Sequence, residues 1–314
     1  MERTGPDGTD MNAPRCVIAP DTGDGPLTAA VRAGGGEVVD AADAEAVIWL
    51  DPADADGLAR LLSQHPGIRW VQLPWAGIEP FVDVLDDERT WTCGKGVYAE
   101  PVAEHALGLG LAGLRGLTHY ARARTWSPPR GNNLVGGRVT ILGGGGIARA
   151  LVALLGGFDA HLTVVRRHLE PLEGVDEVVG HDRLHDALSG ADLVVLALAL
   201  TPETERIMDT EALGAMQDHA WLVNVARGRH VDTPALVEAL QHGAIGGAGL
   251  DVTDPEPLPD DHPLWSSPNA LITPHVGNTP EMGRALLARR VEENVRRYAH
   301  GEVLLGPVHT DLGY

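Results

Sequence analysis

The chain has 314 residues, 44% of them hydrophobic, which is enough for two domains of ordinary size with packed cores. Its net charge of −20 excludes the basic surface that a nucleic-acid backbone requires, and no apolar run reaches the ~18 residues of a membrane span. The two cysteines, Cys16 and Cys93, form neither a disulfide framework nor a metal-ligand spacing, so no metal is expected and the location reads as cytoplasmic. The N-terminal stretch MERTGPDGTDMNAP is polar and lacks the apolar core of a secretory signal. It reads as a disordered leader, with Met11 as an alternative start.

In chain order, RCVIA (15–19), AVIWL (46–50) and WVQLP (70–74) read as strands, separated by helical stretches such as DADGLARLLSQH. That alternation predicts a parallel sheet with crossover helices. From Pro101, PVAEHALGLGLAGLRGLTHYARAR predicts one long amphipathic helix. After the Pro/Gly/Asn-rich break WSPPRGNNLVGG a second alternation begins, with strands RVTIL, HLTVV, DLVVLALA, AWLVNVA, AGLDV and ALITPH. A closing helix, PEMGRALLARRVEENVRRYAHG, ends the pattern. The fold class is therefore α/β with two parallel-sheet units.

Between the strand RVTIL and the helix IARALVALLGG lie four consecutive glycines, 143 to 146. Gly143-x-Gly145-x-x-Ala148 fits the fingerprint of a dinucleotide site, with Gly146 and Ile147 inside it. Gly143 allows the tight turn, Gly145 lets backbone approach a pyrophosphate, and Ala148 permits close helix–strand packing. The helix N-terminus adds N–H groups and a positive dipole for the phosphates. A carboxylate at the end of the next strand would bind the ribose 2′-hydroxyl of NAD. HLTVV ends instead in Arg166-Arg167-His168. These arginines read either as ordinary exposed residues or as a guanidinium clamp for the 2′-phosphate of NADP, which makes NADP the favoured cofactor and NAD the alternative.

The chain resembles the D-isomer-specific 2-hydroxyacid dehydrogenases, in particular the glyoxylate/hydroxypyruvate reductases. The likeness runs from VQLPWAGIEPF through VYAEPVAEHAL, ILGGGGIARAL, LALTPETERIMD, LVNVARGRHVDTPALVEAL and GAGLDVTDPEPLPDDHPLW to LITPHVGNTPE. It implies two Rossmann-like domains, a substrate domain of residues 1–98 and 280–314 and an NAD(P)-binding domain of residues 99–279 inserted into it. It also implies an active site in the cleft between them and a homodimer joined through the cofactor domains. Residue by residue, Arg227 of NVARG matches the substrate-binding arginine, Glu256 of DVTDPEP the acid partner, and His275 of TPHVG the catalytic acid/base.

The chemistry explains those residue types. Reducing a 2-oxo acid needs a hydride on the carbonyl carbon and a proton on its oxygen. Histidine titrates near neutrality and can give that proton as imidazolium. A carboxylate bonded to the ring favours the charged form and fixes its orientation. Arginine holds the substrate carboxylate, and its charge stabilises the developing oxyanion.

By the same resemblance Asp251 accepts from the nicotinamide carboxamide, Val225 and Ala226 contact cofactor through backbone, and Thr204 touches its ribose–phosphate side. Ala199 departs from the family, which often has proline there. Ala76 and Gly77 offer backbone N–H groups to the substrate carboxylate, while Trp75 reads either as a pocket wall or as a core aromatic. Relatives acting on phosphorylated substrates add basic residues in this loop, phosphite-oxidising relatives place lysine where Ala76 stands, and formate dehydrogenases replace the glutamate by glutamine. The C-terminal regulatory domain of some serine-pathway relatives has no counterpart here. A small unphosphorylated 2-oxo acid such as glyoxylate or hydroxypyruvate is the expected substrate, reduced with NADPH. The alternative is an NAD(H)-sensing, corepressor-type binding protein with little catalysis.

Overall fold

A computed structural model describes residues 13–20 and 25–308, so the expected leader with Met11 lies outside the described residues. By contact the chain divides into two compact units, Met1–Tyr98 with Thr279–Tyr314, and Ala99–Asn278.

The first unit is a parallel sheet of order β2-β1-β3-β4-β5, built from β1 (Arg15–Ala19), β2 (Glu37–Val38), β3 (Ala46–Trp49), β4 (Trp70–Gln72) and β5 (Thr90–Thr92). Alternate residues of each strand face opposite layers. Cys16 and Ile18 of β1 pack with Leu27 and Val31 of helix α1 (Pro26–Ala33) and with Leu287, Val291 and Val295 of the closing helix, Pro280–Ala299. Val17 faces the other way, into a layer with Leu58 and Leu62 of α2 (Ala55–Gln64). Both faces of β3 are covered, which is why AVIW is apolar throughout rather than alternating. Inside this apolar frame runs one buried polar chain. Trp70 Nε1 donates to Thr92 Oγ1 (2.9 Å), Thr92 to Gln72 Oε1 (2.9 Å), and Asn294 Nδ2 to the same oxygen (2.9 Å), so the closing helix is tied to the sheet.

In the second unit α3 (Ala99–Leu114) and α4 (Leu117–Arg122) precede β6 (Arg138–Leu142), α5 (Gly146–Leu155), β7 (His161–Val165), β8 (Glu177–Val179), α6 (Leu184–Leu188) and β9 (Leu193–Leu196). Then come α7 (Thr210–Ala215), β10 (Trp221–Asn224), α8 (Thr233–His242), β11 (Gly247–Leu250) and β12 (Ala270–Ile272). The order β12-β11-β10-β9-β6-β7-β8, with parallel pairings, is that of a doubly wound dinucleotide-binding sheet whose direction of winding switches between β6 and β9.

The single long helix expected from Pro101 is two helices. Gly116 takes a left-handed conformation (φ 64°) between α3 and α4, which no helix interior accommodates. Nor is α3 simply amphipathic. Its small residues Ala103, Ala106, Gly110 and Gly113 let it lie close on the sheet, where a Cβ at Gly113 would sit 2.1 Å from the Trp221 ring. Several strands are shorter than their apolar runs, because residues such as Ala197–Ala199 and Val225–Ala226 leave the ladder to form the loops at the carboxyl edge. Among the described residues no helix is long and apolar enough to cross a membrane.

Candidate active site

The glycine run forms the turn between β6 and α5 at the switch point. Gly143 has φ 112°, and a Cβ there would lie 2.2 Å from the carbonyl oxygen of Ala197, so neither the conformation nor the space admits a side chain. Around Gly145 nothing lies within 4 Å of a would-be Cβ. Gly145 is also the N-cap of α5 and has no side chain to occupy the first N–H groups of that helix. Ala148 is fully buried against the sheet, and Ile147 is half-buried. Open space, bare N–H groups and a helix dipole fit the pyrophosphate of a dinucleotide.

Arg166 leaves the end of β7 and folds over this turn, its Cδ 2.5 Å and its Nη1 3.0 Å from where a Cβ of Gly144 would be. Its side chain is only 15% exposed, and its Nε is buried with no hydrogen-bond partner. Nη2 donates to the Glu170 carbonyl (2.7 Å) and to its carboxylate (3.3 Å). Arg167 is exposed.

Arg227, Glu256 and His275 follow β10, β11 and β12, three adjacent strands, at their carboxyl ends. The Arg227 turn is held from beneath. Asn224 Oδ1 accepts the Ala226 N–H (3.0 Å), Asn224 Nδ2 donates to the Arg227 carbonyl (2.8 Å), and Arg227 Nη1 donates to the Ala226 carbonyl (2.8 Å). His230 is fully buried, and burial pushes its imidazole below the usual value. The neutral ring accepts the Arg227 N–H at Nδ1 (3.2 Å) and donates from Nε2 to the Ala199 carbonyl (3.3 Å). Thr204 Oγ1 donates to that same carbonyl (2.8 Å), so its hydroxyl closes the 199–204 loop. Hydrogen bonds thus shape the loop at Ala199. Gly228 brings two loops together, since a Cβ there would be 1.9 Å from the carbonyl oxygen of Thr253, on the segment leading to Glu256.

His275 Nδ1 lies 2.7 Å from Glu256 Oε1, with both side chains about half exposed. The backbone at His275 is left-handed (φ 55°), and Asp251 fixes it there. The Asp251 carbonyl accepts the His275 N–H (2.8 Å). Its carboxylate accepts Thr273 Oγ1 (2.6 Å) and the Val276 N–H (2.9 Å) at Oδ1, and the Gly277 N–H (2.9 Å) at Oδ2. His105 Nε2 stands 3.2 Å from Oδ1. Burial alone would raise the Asp251 carboxyl, but the His105 ring beside it, with the hydrogen bonds from Thr273 and the two backbone N–H groups, outweighs that and holds the group at about 2.

In the first unit, Trp75 is half-buried beside Tyr98 (ring centroids 5.0 Å, 56°) and is not one of the fully buried core aromatics. Its carbonyl accepts the Gly94 N–H (2.8 Å), which ties the Trp75–Gly77 loop to the one after β5; Ala76 is exposed and Gly77 half-buried.

Residues 107–277 match the family described as D-isomer specific 2-hydroxyacid dehydrogenase, NAD binding domain. The chain belongs to the D-isomer specific 2-hydroxyacid dehydrogenases. It is an oxidoreductase with a nicotinamide cofactor and a small-molecule substrate. A hydroxyphenylpyruvate reductase from Plectranthus scutellarioides is 33% identical over 84% of this chain and 85% of its own. A glyoxylate reductase from Thermococcus kodakarensis is 36% identical over 66% of each chain. A D-isomer specific 2-hydroxyacid dehydrogenase from Xanthobacter autotrophicus Py2, solved in complex with NADPH and MES, is 29% identical, with a TM-score of 0.82 over 96% of this chain and 100% of that one.

The residues of this dehydrogenase that sequence reading missed are the supports: His105, Asn224, His230, Thr273 and Glu170. Only Asn224 and His230 carried a usable signal, as the polar first and last residues of NVARGRH that end up buried. The Asp251 network also predicts an acid limit. Because its folded value is depressed, its contribution to stability is complete above the ordinary carboxyl value, about 4, and is lost as the pH falls toward about 2. The urea-midpoint difference between wild type and Asp251→Asn should therefore be constant near neutrality and shrink through that window.

Proposed function

We propose that this dehydrogenase reduces a small unphosphorylated 2-oxo acid, of the glyoxylate or hydroxypyruvate kind, to its D-2-hydroxy acid with NADPH. The observation that carries this reading is the 2.7 Å contact between His275 Nδ1 and Glu256. With Nδ1 engaged by a carboxylate, Nε2 is the ring nitrogen left to give a proton to the substrate carbonyl oxygen. The bound nicotinamide supplies the hydride. Arg227 holds the substrate carboxylate and stabilises the growing oxyanion, and the backbone of Ala76 and Gly77 adds N–H donors. Trp75 bounds the apolar part of the pocket. The absence of a basic residue from Trp75 to Ile78 disfavours a phosphorylated substrate.

On the cofactor side, Gly143, Gly145, Gly146, Ile147 and Ala148 take the pyrophosphate, Thr204 stands on the ribose–phosphate side, and Val225, Ala226 and Asp251 line the nicotinamide end. The preference for NADPH rests on Arg166, whose guanidinium covers the glycine turn, with Arg167 beside it. The Xanthobacter relative bound to NADPH supports that preference. We further place the enzyme in the cytoplasm as a homodimer joined through its cofactor-binding unit. Two free, buried cysteines suit a reducing compartment, and the exposed Leu117, Trp126 and Trp265 suit an interface.

The test is oxidation of NADPH and NADH by a panel of phosphorylated and unphosphorylated 2-oxo acids. Turnover with the small unphosphorylated acids is expected. Tight dinucleotide binding without turnover on any acid would instead favour a sensing protein. Within an active enzyme, Glu256→Gln removes the charged partner that engages His275 Nδ1 and orients the ring. Turnover should then fall while dinucleotide affinity changes little, and unchanged turnover would uncouple the two side chains.

A further inference from the structure

Helix α3 packs closely on β11, where a Cβ on Gly249 would sit 2.9 Å from Leu109 Cβ. His105 is one helical turn before Leu109 on the same face, and Asp251 is two residues after Gly249 on the same face of its strand. That register brings His105, part of neither the Glu256–His275 pair nor the glycine turn, to the Asp251 carboxylate. Its Nε2 is 3.0 Å from Thr273 Oγ1 and 3.2 Å from Asp251 Oδ1. Thr273 has one hydroxyl proton, and the 2.6 Å contact commits it to Asp251. The threonine oxygen is then an acceptor, so His105 carries its proton on Nε2 and donates.

With Thr273 and the Val276 N–H on Oδ1, that oxygen has both lone pairs filled. Oδ2 has the Gly277 N–H alone and keeps one acceptor direction. The glycine keeps a side chain off that oxygen: a Cβ at Gly277 would lie 3.0 Å from Oδ2 and 3.7 Å from His105 Cδ2. A carboxylate so loaded cannot rotate without breaking three bonds.

We propose that His105, acting through Thr273, is a positioning residue that aims the Asp251 carboxylate at an amide N–H donor and so sets the selectivity for a carboxamide-bearing nicotinamide ring. This rests on the proposed role of Asp251 as the carboxamide acceptor. The probes are NADP or NAD, whichever binds more tightly, and the same dinucleotide carrying 3-acetylpyridine, whose methyl ketone has no N–H to donate. Their dissociation constants are measured by titration calorimetry, with no substrate present.

Wild type should favour the carboxamide by roughly tenfold, the worth of one hydrogen bond to a charged group. His105→Leu should bring the two constants close together by weakening the carboxamide form alone. His105→Gln, which keeps an N–H donor, should restore most of the preference. Thr273→Val, cutting the relay at its middle, should repeat the leucine result and guards against a His105 variant that fails to fold. Unchanged preference in His105→Leu and Thr273→Val would overturn the relay, as would equal weakening of both dinucleotides with no rescue by glutamine. No preference in the wild type would instead remove the Asp251 assignment, and the relay with it.

Discussion

His275→Asn is expected to lower turnover on the best 2-oxo acid by ~10²–10⁴-fold, the usual worth of a positioned general acid. Asparagine is the informative replacement because residue 275 has a left-handed backbone (φ 55°), which asparagine accepts more readily than most residues. The turn should therefore survive, still pinned by the Asp251 carbonyl and carboxylate, and dinucleotide affinity should change little. What disappears is the ring nitrogen proposed to give the proton to the substrate oxygen. The effect should fall on kcat, because the imidazolium helps most when negative charge grows on the substrate oxygen. Stopped-flow mixing with the dinucleotide already bound separates this from slow product release. Turnover close to wild type would remove His275 from the chemistry.

Arg166→Asp is expected to weaken NADPH binding by roughly ten- to hundredfold, which corresponds to one charge-assisted hydrogen bond of about 1.5–3 kcal/mol. NADH should improve relative to NADPH, because the new carboxylate repels a 2′-phosphate and accepts from a 2′-hydroxyl. Two features of the site shape the size of this effect. The guanidinium is already held over the glycine turn by the Glu170 carbonyl, so little side-chain freedom is lost when an anion arrives. The Glu170 carboxylate competes for the same Nη2, but it is 73% exposed, well screened and free to swing away. Arg167 adds less than a second full contact, because both guanidinium groups would share one anion. The NADPH preference should also shrink as salt is added, which a purely steric discrimination would not show. Equal or better affinity for NADH in the unmodified protein would refute the clamp.

Local signals explain what the sequence made legible. The four glycines between an apolar strand and a helix are a covalent record of the turn at Gly143, because both its φ and its lack of space depend on the missing Cβ. Arg227, Glu256 and His275 stand just past apolar runs that form adjacent strands, so pattern alone brings them to one sheet edge.

The features that escaped are those set by distant or very short stretches. His105 and Thr273 are 168 residues apart, and their contact depends on how α3 crosses β11. The strands β2, β5 and β8 have two or three residues each, too few for alternation to register. The break at Gly116 hides inside a helical periodicity, because one glycine is tolerated in many helices and only the left-handed turn at φ 64° distinguishes this one. Glu170 escaped because the acid expected near Arg166 belonged at the strand end, whereas this one reaches back from the loop beyond it.

The most direct measurement is the handedness of the product. Purified enzyme is incubated with NADPH and hydroxypyruvate, and the glycerate formed is resolved by chiral chromatography, with His275→Asn run in parallel. If, as proposed, Arg227 fixes the carboxylate and His275 the oxygen, only one face of the carbonyl can receive the hydride, and the family's D-isomer specificity names the hand of the product. The wild type should therefore yield the D-isomer alone, and the variant only a trace of it in the same time. A racemic product, or equal yields from the two proteins, would contradict the proposed roles of Arg227 and His275, and a pure L-isomer would contradict the proposed D-2-hydroxy acid product.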